Sequence, residues 1–278
     1  MLKLRRSLSV GLRLSVVLGL ILGLTSGAQA QRRGRGGNMW GAMGDPNDFY
    51  TPPDFAGNVK YDGRFVFARI KYRGYEHFMS EGPGWSHDYP RAESHLMQIM
   101  KSVSTLKPFL ESGPIMGGNI LALDDPELFK YPVAYLSEPG GWHPNDKEVG
   151  GLRNYLLKGG FLIIDDFEDF EGGELQNLSE IMARTFPKLR LIEIPATHPI
   201  FDSFFKIDME RLPRGRRGGA VWYGIFQDND PKKRLMLVAN YLNDIGESWQ
   251  WSDRGFNVVP TNEAYKLGVN YLIYALTH

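Results

Sequence analysis

Gly159-Gly160-Phe161-Leu162-Ile163-Ile164-Asp165-Asp166 decides the fold. Four consecutive large apolar residues with no polar alternation read as a β-strand buried on both faces, which requires a parallel sheet covered by helices on either side. The two glycines stand where a preceding helix should stop. That helix is visible upstream: Asn145-Asp146 supplies an N-cap, and Val149, Leu152 and Leu156 share one face. Upstream again, Val133 to Leu136 is a short apolar strand. Downstream, Leu175, Leu178, Met182 and Phe186 mark a third helix that ends at Pro187, and Leu189 to Ile194 reads as the next strand. Strand, helix, strand, helix, strand gives two consecutive crossover units.

The same texture extends outward. Phe65 to Ile70 and Ile120 to Leu123 are β-type runs, and Asp88-Tyr89-Pro90 opens a helix with Leu96, Ile99, Met100 and Val103 on one face. Val221 to Phe226 and Leu235 to Ala239 are further strands, and Glu263 to Leu276 forms a closing helix. The expected fold class is α/β: three layers, with a mostly parallel central sheet and helices on both faces, in one domain over residues 59–278. With 42% hydrophobic and 13% aromatic residues in 278, the chain can bury such a core, which excludes wholesale disorder, collagen-like repeats and coiled coil.

Residues 1–30 read as an export signal: Lys3, Arg5 and Arg6, an apolar run from Leu14 to Leu24, then Ala28-Gln29-Ala30. The run is well short of the ~20 residues a membrane-spanning helix needs, so no stable span is expected after cleavage. Arg5-Arg6-Ser7-Leu8 resembles the opening of a twin-arginine signal without its continuation, and the general secretory route is expected. Residues 31–58, rich in Gly, Arg, Pro and Asn, read as a linker or arm. Formal charge is zero overall; without the four bases of the first thirty residues, 28 bases face 32 acids, a net of −4. That balance offers no attraction to nucleic acid. With no Cys there is no disulfide, thiolate metal site or cysteine nucleophile.

In parallel sheets ligands sit beyond the carboxyl ends of the strands. There Ile164 is followed by Asp165, Asp166, Glu168, Asp169 and Glu171, five carboxylates within seven residues. They repel one another unless a metal, an arginine, a helix N-terminus or solvent answers them. Asp165 and Asp166 sit on the strand end itself and are candidate bases, nucleophiles or ligands; the others also suit a solvated cap on the next helix. Ser137-Glu138-Pro139-Gly140-Gly141-Trp142-His143 follows the neighbouring strand, where Trp142 suits either sugar stacking or a lid over the core. His198 follows Ile194 and is a candidate proton partner for the carboxylates. Asn240, Asp244 and Trp249, in the polar run after the last strand, are candidate recognition groups, although Asx turns use the same residues. No H-x-x-x-H or H-x-H spacing supports a metal site, so neither a metal nor a cofactor is assigned. Arg211, Arg214, Arg216 and Arg217 form a basic cluster open to an anionic ligand or to solvent.

Trp85-Ser86-His87-Asp88-Tyr89-Pro90, Asp125-Pro126-Glu127-Leu128-Phe129, Leu156 to Asp166, His198-Pro199-Ile200-Phe201 and Asn240 to Trp249, in this order and spacing over about residues 64–276, resemble the bacterial domain of unknown function 4159 family. The resemblance implies a distant relation to the class I glutamine amidotransferase-like fold, which is flavodoxin-like, and to trehalose-utilisation-like proteins. It sets Asp165-Asp166 where amidotransferases carry a nucleophilic cysteine; with that cysteine missing, glutamine hydrolysis is contradicted. The trehalose-utilisation-like relatives imply carbohydrate as a ligand class, by analogy. Two functions follow: a periplasmic ligand-binding or scaffold module for a saccharide or envelope polymer, using Ser137, Glu138, Trp142, His143, Asn240, Asp244 and Trp249, or an envelope hydrolase using Asp165 or Asp166 with His198. The exported form is expected to begin at Gln31, and an intact mass from the envelope fraction that retained Met1 to Ala30 would contradict it.

Overall fold

The computed structural model describes residues 57–73, 83–108, 118–167, 169, 172–213 and 218–278. The signal and nearly all of the 31–58 arm lie outside these residues, as do Glu168, Glu171, Arg214, Arg216 and Arg217. The described strands are β1 (Ala68–Ile70), β2 (Asn119–Leu121), β3 (Val133–Ser137), β4 (Phe161–Phe167), β5 (Ile192–Glu193), β6 (Val221–Phe226) and β7 (Leu235–Tyr241). The helices are α1 (Arg91–Val103), α2 (Asp146–Leu157), α3 (Glu174–Thr185), α4 (Ile245–Gln250) and α5 (Val258–Thr277).

The strands form one sheet in the order β2-β1-β3-β4-β7-β6-β5. The five from β2 to β7 run parallel, and β6 is antiparallel to both its neighbours. Side-chain alternation divides the core in two. Ala134, Leu136, Leu162 and Ile164 face α2 and α3 through Leu152, Leu156, Leu178 and Met182. Val133, Tyr135, Phe161 and Ile163 face α1, α4 and α5 through Leu96, Met100, Trp249 and Leu267. This is the three-layer, mostly parallel α/β architecture that the apolar run of β4 requires.

Local chemistry sets the element ends. Asn145 caps α2, its side chain accepting from Lys147 N and Glu148 N at 2.8 and 3.1 Å while Glu148 accepts from Asn145 N, a reciprocal capping box. Asn58 grips the edge strand β2, donating to Ile120 O and accepting from Ile120 N at 2.8 Å each. Two expectations change. The strand expected over Leu189 to Ile194 is two residues long and lies at the sheet edge, paired with the antiparallel β6 and separated from β4 by β7 and β6. The polar run after β7 contains a short helix, α4, whose N-cap Asp244 accepts from Glu247 N at 2.8 Å.

One buried cation ties sheet to loop. Arg69 of β1 is fully buried; its Nε donates to Glu93 Oε1 of α1 at 2.6 Å, and its Nη1 donates to the carbonyls of Trp85 and His87 at 3.1 and 3.0 Å. The guanidinium also lies 4.5 Å from the centre of the Tyr135 ring. Removing one member of such a pair leaves the other charged and unpaired in the core, so Arg69→Met should cost ~3–5 kcal/mol in urea unfolding. The double change Arg69→Met/Glu93→Met should cost less than the two single changes added together.

Candidate functional site

β3, β4 and β7 end together at the carboxyl edge. Ser137 pairs with Asp165 in register, and Asn240 Nδ2 donates to Asp165 Oδ1 at 2.8 Å. Asp165 is fully buried and accepts from four donors: Asn240, Tyr135 Oη at 2.6 Å, Gly246 N at 2.8 Å and Ile245 N at 3.4 Å. Burial raises its pKa even though Tyr135, Asn240 and Gly246 pull it down. Asn240 in turn accepts from Tyr271 Oη of α5 at 2.6 Å. Asp165 and Asn240, both expected at a functional site, are thus committed to holding three strands and two helices together.

Asp166 is aimed elsewhere. Between Ile164 and Phe167 the β4–β7 register slips, because β4 carries one residue more than β7 over this stretch. Asp166 takes a left-handed backbone there, with φ 55°. A bulge of this kind re-aims a side chain out of the pleat. Four further non-glycine residues at this edge are left-handed: Asp88 (φ 62°), Glu138 (φ 50°), Asp169 (φ 55°) and Leu242 (φ 58°). Such conformations cost about 1–3 kcal/mol each and collect where a site is being shaped.

The bulge brings Asp166 to the loop that leads into α1. His87 Nδ1 lies 2.5 Å from Asp166 Oδ2 and 3.5 Å from Glu138 Oε1, and Ser137 Oγ is 3.5 Å from Asp166 Oδ2. His87, Asp88, Asp166 and Asp244 each offer a nitrogen or oxygen atom, and these atoms lie within 4.8 Å of one another. Asp88 is 2% exposed, and neither of its carboxylate oxygens has a hydrogen-bond partner among the described residues. Burial, then the fields of Asp166 and Asp165, hold the Asp88 carboxyl well above the usual range against the pull of His87 and Arg69. Asp244 is held high by burial and then by Asp166, Asp88 and Asp165. For His87, burial opposes the charge, yet the Asp166 hydrogen bond and the surrounding carboxylates outweigh it and push the pKa up to about 10.

Two glycines let backbone approach the centre. A Cβ at Gly246 would lie 2.5 Å from Tyr135 Oη and 2.7 Å from Asp88 Oδ2, and one at Gly84 would lie 2.3 Å from Glu138 Oε2. Beside the centre a cleft of ≈ 480 Å³ is lined by Asn243 and Asp244 together with Arg211, Glu247, Phe256 and Pro260. Arg211, from the basic cluster, is exposed and pairs with Asp208 at 3.1 Å.

Several expected groups stand elsewhere. His198, expected as the proton partner, is 6% exposed with its ring against Phe226 and Tyr274, at 5.4 and 5.7 Å between centroids. Phe226 ends the antiparallel β6 and pairs with Leu235 at the start of β7, so His198 lies at the opposite edge of the sheet. Its Nδ1 accepts from Ile200 N, a turn contact. Trp142 and Trp249 are 0% and 1% exposed, which removes both as stacking surfaces; Trp249 Nε1 donates to Ala264 O at 3.0 Å. His143 is exposed on the turn that follows Trp142. Asp169 and Glu174 cap each other's backbone, as a helix-capping acid should. Sequence reasoning passed over His87 and Asp88 as site residues; their adjacency within Trp85 to Pro90 is the signal that points to them.

Because Asp165 has no lone pair to spare, Asp165→Asn sets an NH2 group against at least one fixed donor. Loss of ~1–3 kcal/mol in denaturant unfolding is expected. Gly246→Ala should destabilise as well, since the new methyl group meets Tyr135 and Asp88 below contact distance.

Residues 66–276 match the family model described as Domain of unknown function (DUF4159). No curated protein matches the chain. Among the described residues no helix is long and apolar enough to cross a membrane. The match spans β3, β4 and β7 and every residue of the carboxyl-edge cluster, and the chain belongs to the domain of unknown function 4159 family.

Proposed function

We propose that the chain is an exported cell-envelope protein that binds a saccharide or envelope polymer at the carboxyl edge of its sheet. The centre formed by His87, Asp88, Asp166 and Asp244 gathers three carboxyl groups, and a positive group on the bound partner would favour their ionised form. One observation carries this reading: Asp88 is buried beside two other carboxylates with both of its oxygens unpartnered among the described residues. A buried carboxylate without a donor is costly in a resting fold, and a positive group arriving with a ligand removes that cost. The cleft lined by Asn243, Asp244 and Arg211 meets the centre at Asp244 and offers such a ligand room beside it. Recognition in this reading is polar and electrostatic, since Trp142 and Trp249 are packed inside. Export rests on the charged, apolar and small-residue pattern of residues 1–30.

A second reading, an envelope hydrolase, is favoured by the 2.5 Å approach of His87 Nδ1 to Asp166 Oδ2. A carboxylate held against an imidazole is a pair suited to general acid–base work, and the partner role expected of His198 passes to His87.

Asp166→Asn separates the two. In a binding module it should weaken an envelope saccharide by about 1–3 kcal/mol, the scale of one charged hydrogen bond. In a hydrolase it should remove nearly all turnover, because an amide neither accepts the proton nor attacks. The measurement is thermal unfolding of wild type and variant across a panel of envelope saccharides, with and without divalent cations, alongside product release. A wild type that no ligand stabilises and that releases no product would refute both.

A further inference from the structure

We infer that His87, Asp88, Asp166 and Asp244 form the binding site of one divalent metal ion, of the class that accepts imidazole nitrogen beside carboxylate oxygen. The inference rests on the reading that this centre takes positive charge, and it names the charge. Three observations support it, beginning with distance. Four donor atoms within 4.8 Å of one another can surround a single ion, since bonds of ~2.0–2.2 Å place opposite ligands up to ~4.4 Å apart and small side-chain rotations close the remainder.

The second observation is the state of Asp88. It is 2% exposed and supplies one of the four clustered atoms, yet neither of its oxygens meets a donor among the described residues. The buried guanidinium of Arg69 acts on it only through its field and gives it no hydrogen bond: Nε is spent on Glu93, Nη1 on the Trp85 and His87 carbonyls, and Nη2 meets no acceptor among the described residues. Those bonds fix the backbone around Asp88 and leave its side chain free. The Gly246 backbone passes so close to Asp88 Oδ2 that a Cβ there would lie 2.7 Å away, which confines the carboxylate to the centre.

The third observation is the donor set. The four residues come from three segments: the loop before α1, the β4 bulge and the turn after β7. Asp244 is oriented by the Glu247 N–H on its Oδ1, and Asp166 has Ser137 Oγ at 3.5 Å. Calcium and magnesium sites are built from oxygens, whereas an imidazole beside carboxylates suits zinc and manganese(II). Bound there, the ion would hold saccharide hydroxyls or polymer anions on its open side.

The test uses the full chain stripped with chelator and titrated calorimetrically with Zn²⁺ alone and with Mn²⁺ alone, with thermal unfolding measured in parallel. One saturable ion per chain and a raised unfolding midpoint are expected. Asp88→Asn and Asp244→Asn should each weaken binding by roughly tenfold or more, while Asp253→Asn, an exposed acid paired with Arg91, should leave it unchanged. If circular dichroism shows that the two buried-site variants fail to fold, His87→Gln, whose side chain is 39% exposed, carries the same expectation. Absence of saturable binding by either ion, or equal affinity in wild type and the site variants, overturns the inference. A saccharide that still binds the chelated chain, and is lost in Asp166→Asn, overturns the metal site while leaving the binding reading intact. Saturable metal with no saccharide or polymer bound supports the ion site and removes the envelope ligand.

Discussion

Asp165 is the point on which the carboxyl edge depends. Its carboxylate lies near the carboxyl end of β4 and takes hydrogen bonds from β3 through Tyr135, from β7 through Asn240 and from the first backbone groups of α4. Charge-assisted hydrogen bonds inside a core are stronger than neutral ones, and this set is full, so it fixes where three strands end relative to one helix. Asp166 is displaced by consequence. With Asp165 turned into the sheet and β4 one residue longer than β7 at this point, the next side chain has only the loop before α1 to face. Two identical residues adjacent in sequence therefore do unlike work, one as a structural tie and one as an open carboxylate.

Arg69 completes the arrangement from the other side. A buried guanidinium is tolerated because Glu93 neutralises it, and its Nη1 reaches outward to two main-chain carbonyls. The loop carrying His87 and Asp88 is thus secured to the sheet by its backbone. Had the side chains been the anchors, their polar atoms would be consumed by the fold. Tyr72, just beyond β1, acts in the same way on the neighbouring strand: it donates to the Ser137 and Glu138 carbonyls at 2.8 and 2.5 Å and so holds the left-handed turn after β3.

The layers were legible because apolar runs report burial directly: Phe161 to Ile164 could only be a doubly covered strand, and the caps and glycines around α2 marked its limits. The carboxyl-edge rule also located Asp166 and Asp244, whose strands are parallel. The rule failed for His198 because the chain turns back after the two-residue β5, and no local pattern announces that. Side-chain roles were harder still. Trp142 and Trp249 look like recognition residues in a polar run, yet a large aromatic beside glycines serves equally well as filling, and here both fill the core. His87 and Asp88 precede a helix, where an Asp reads as a cap; that Asp88 caps nothing is visible only once its neighbours are in place.

What distinguishes this edge from an ordinary loop cluster is that its costs run in one direction. Asp88, Asp165, Asp166, Asp244 and Glu138 bring five acids together, and the two nearby bases are His87, in contact with Asp166, and Arg69, already paired with Glu93. A fold under no other demand would relieve this with an amide or an apolar residue at Asp88, because replacing a buried unpaired carboxylate by a neutral group of similar shape stabilises rather than harms. It would also avoid left-handed backbone at Glu138 and Leu242, where side chains longer than Asp or Asn gain nothing from it. Arg69 and Asp165 hold the strained residues in position so firmly that the cost is borne in the free protein. In the proposed reading, a centre preformed in this way would spend little ordering energy on a ligand that brings the missing positive charge, because the fold has already fixed the groups that would meet it.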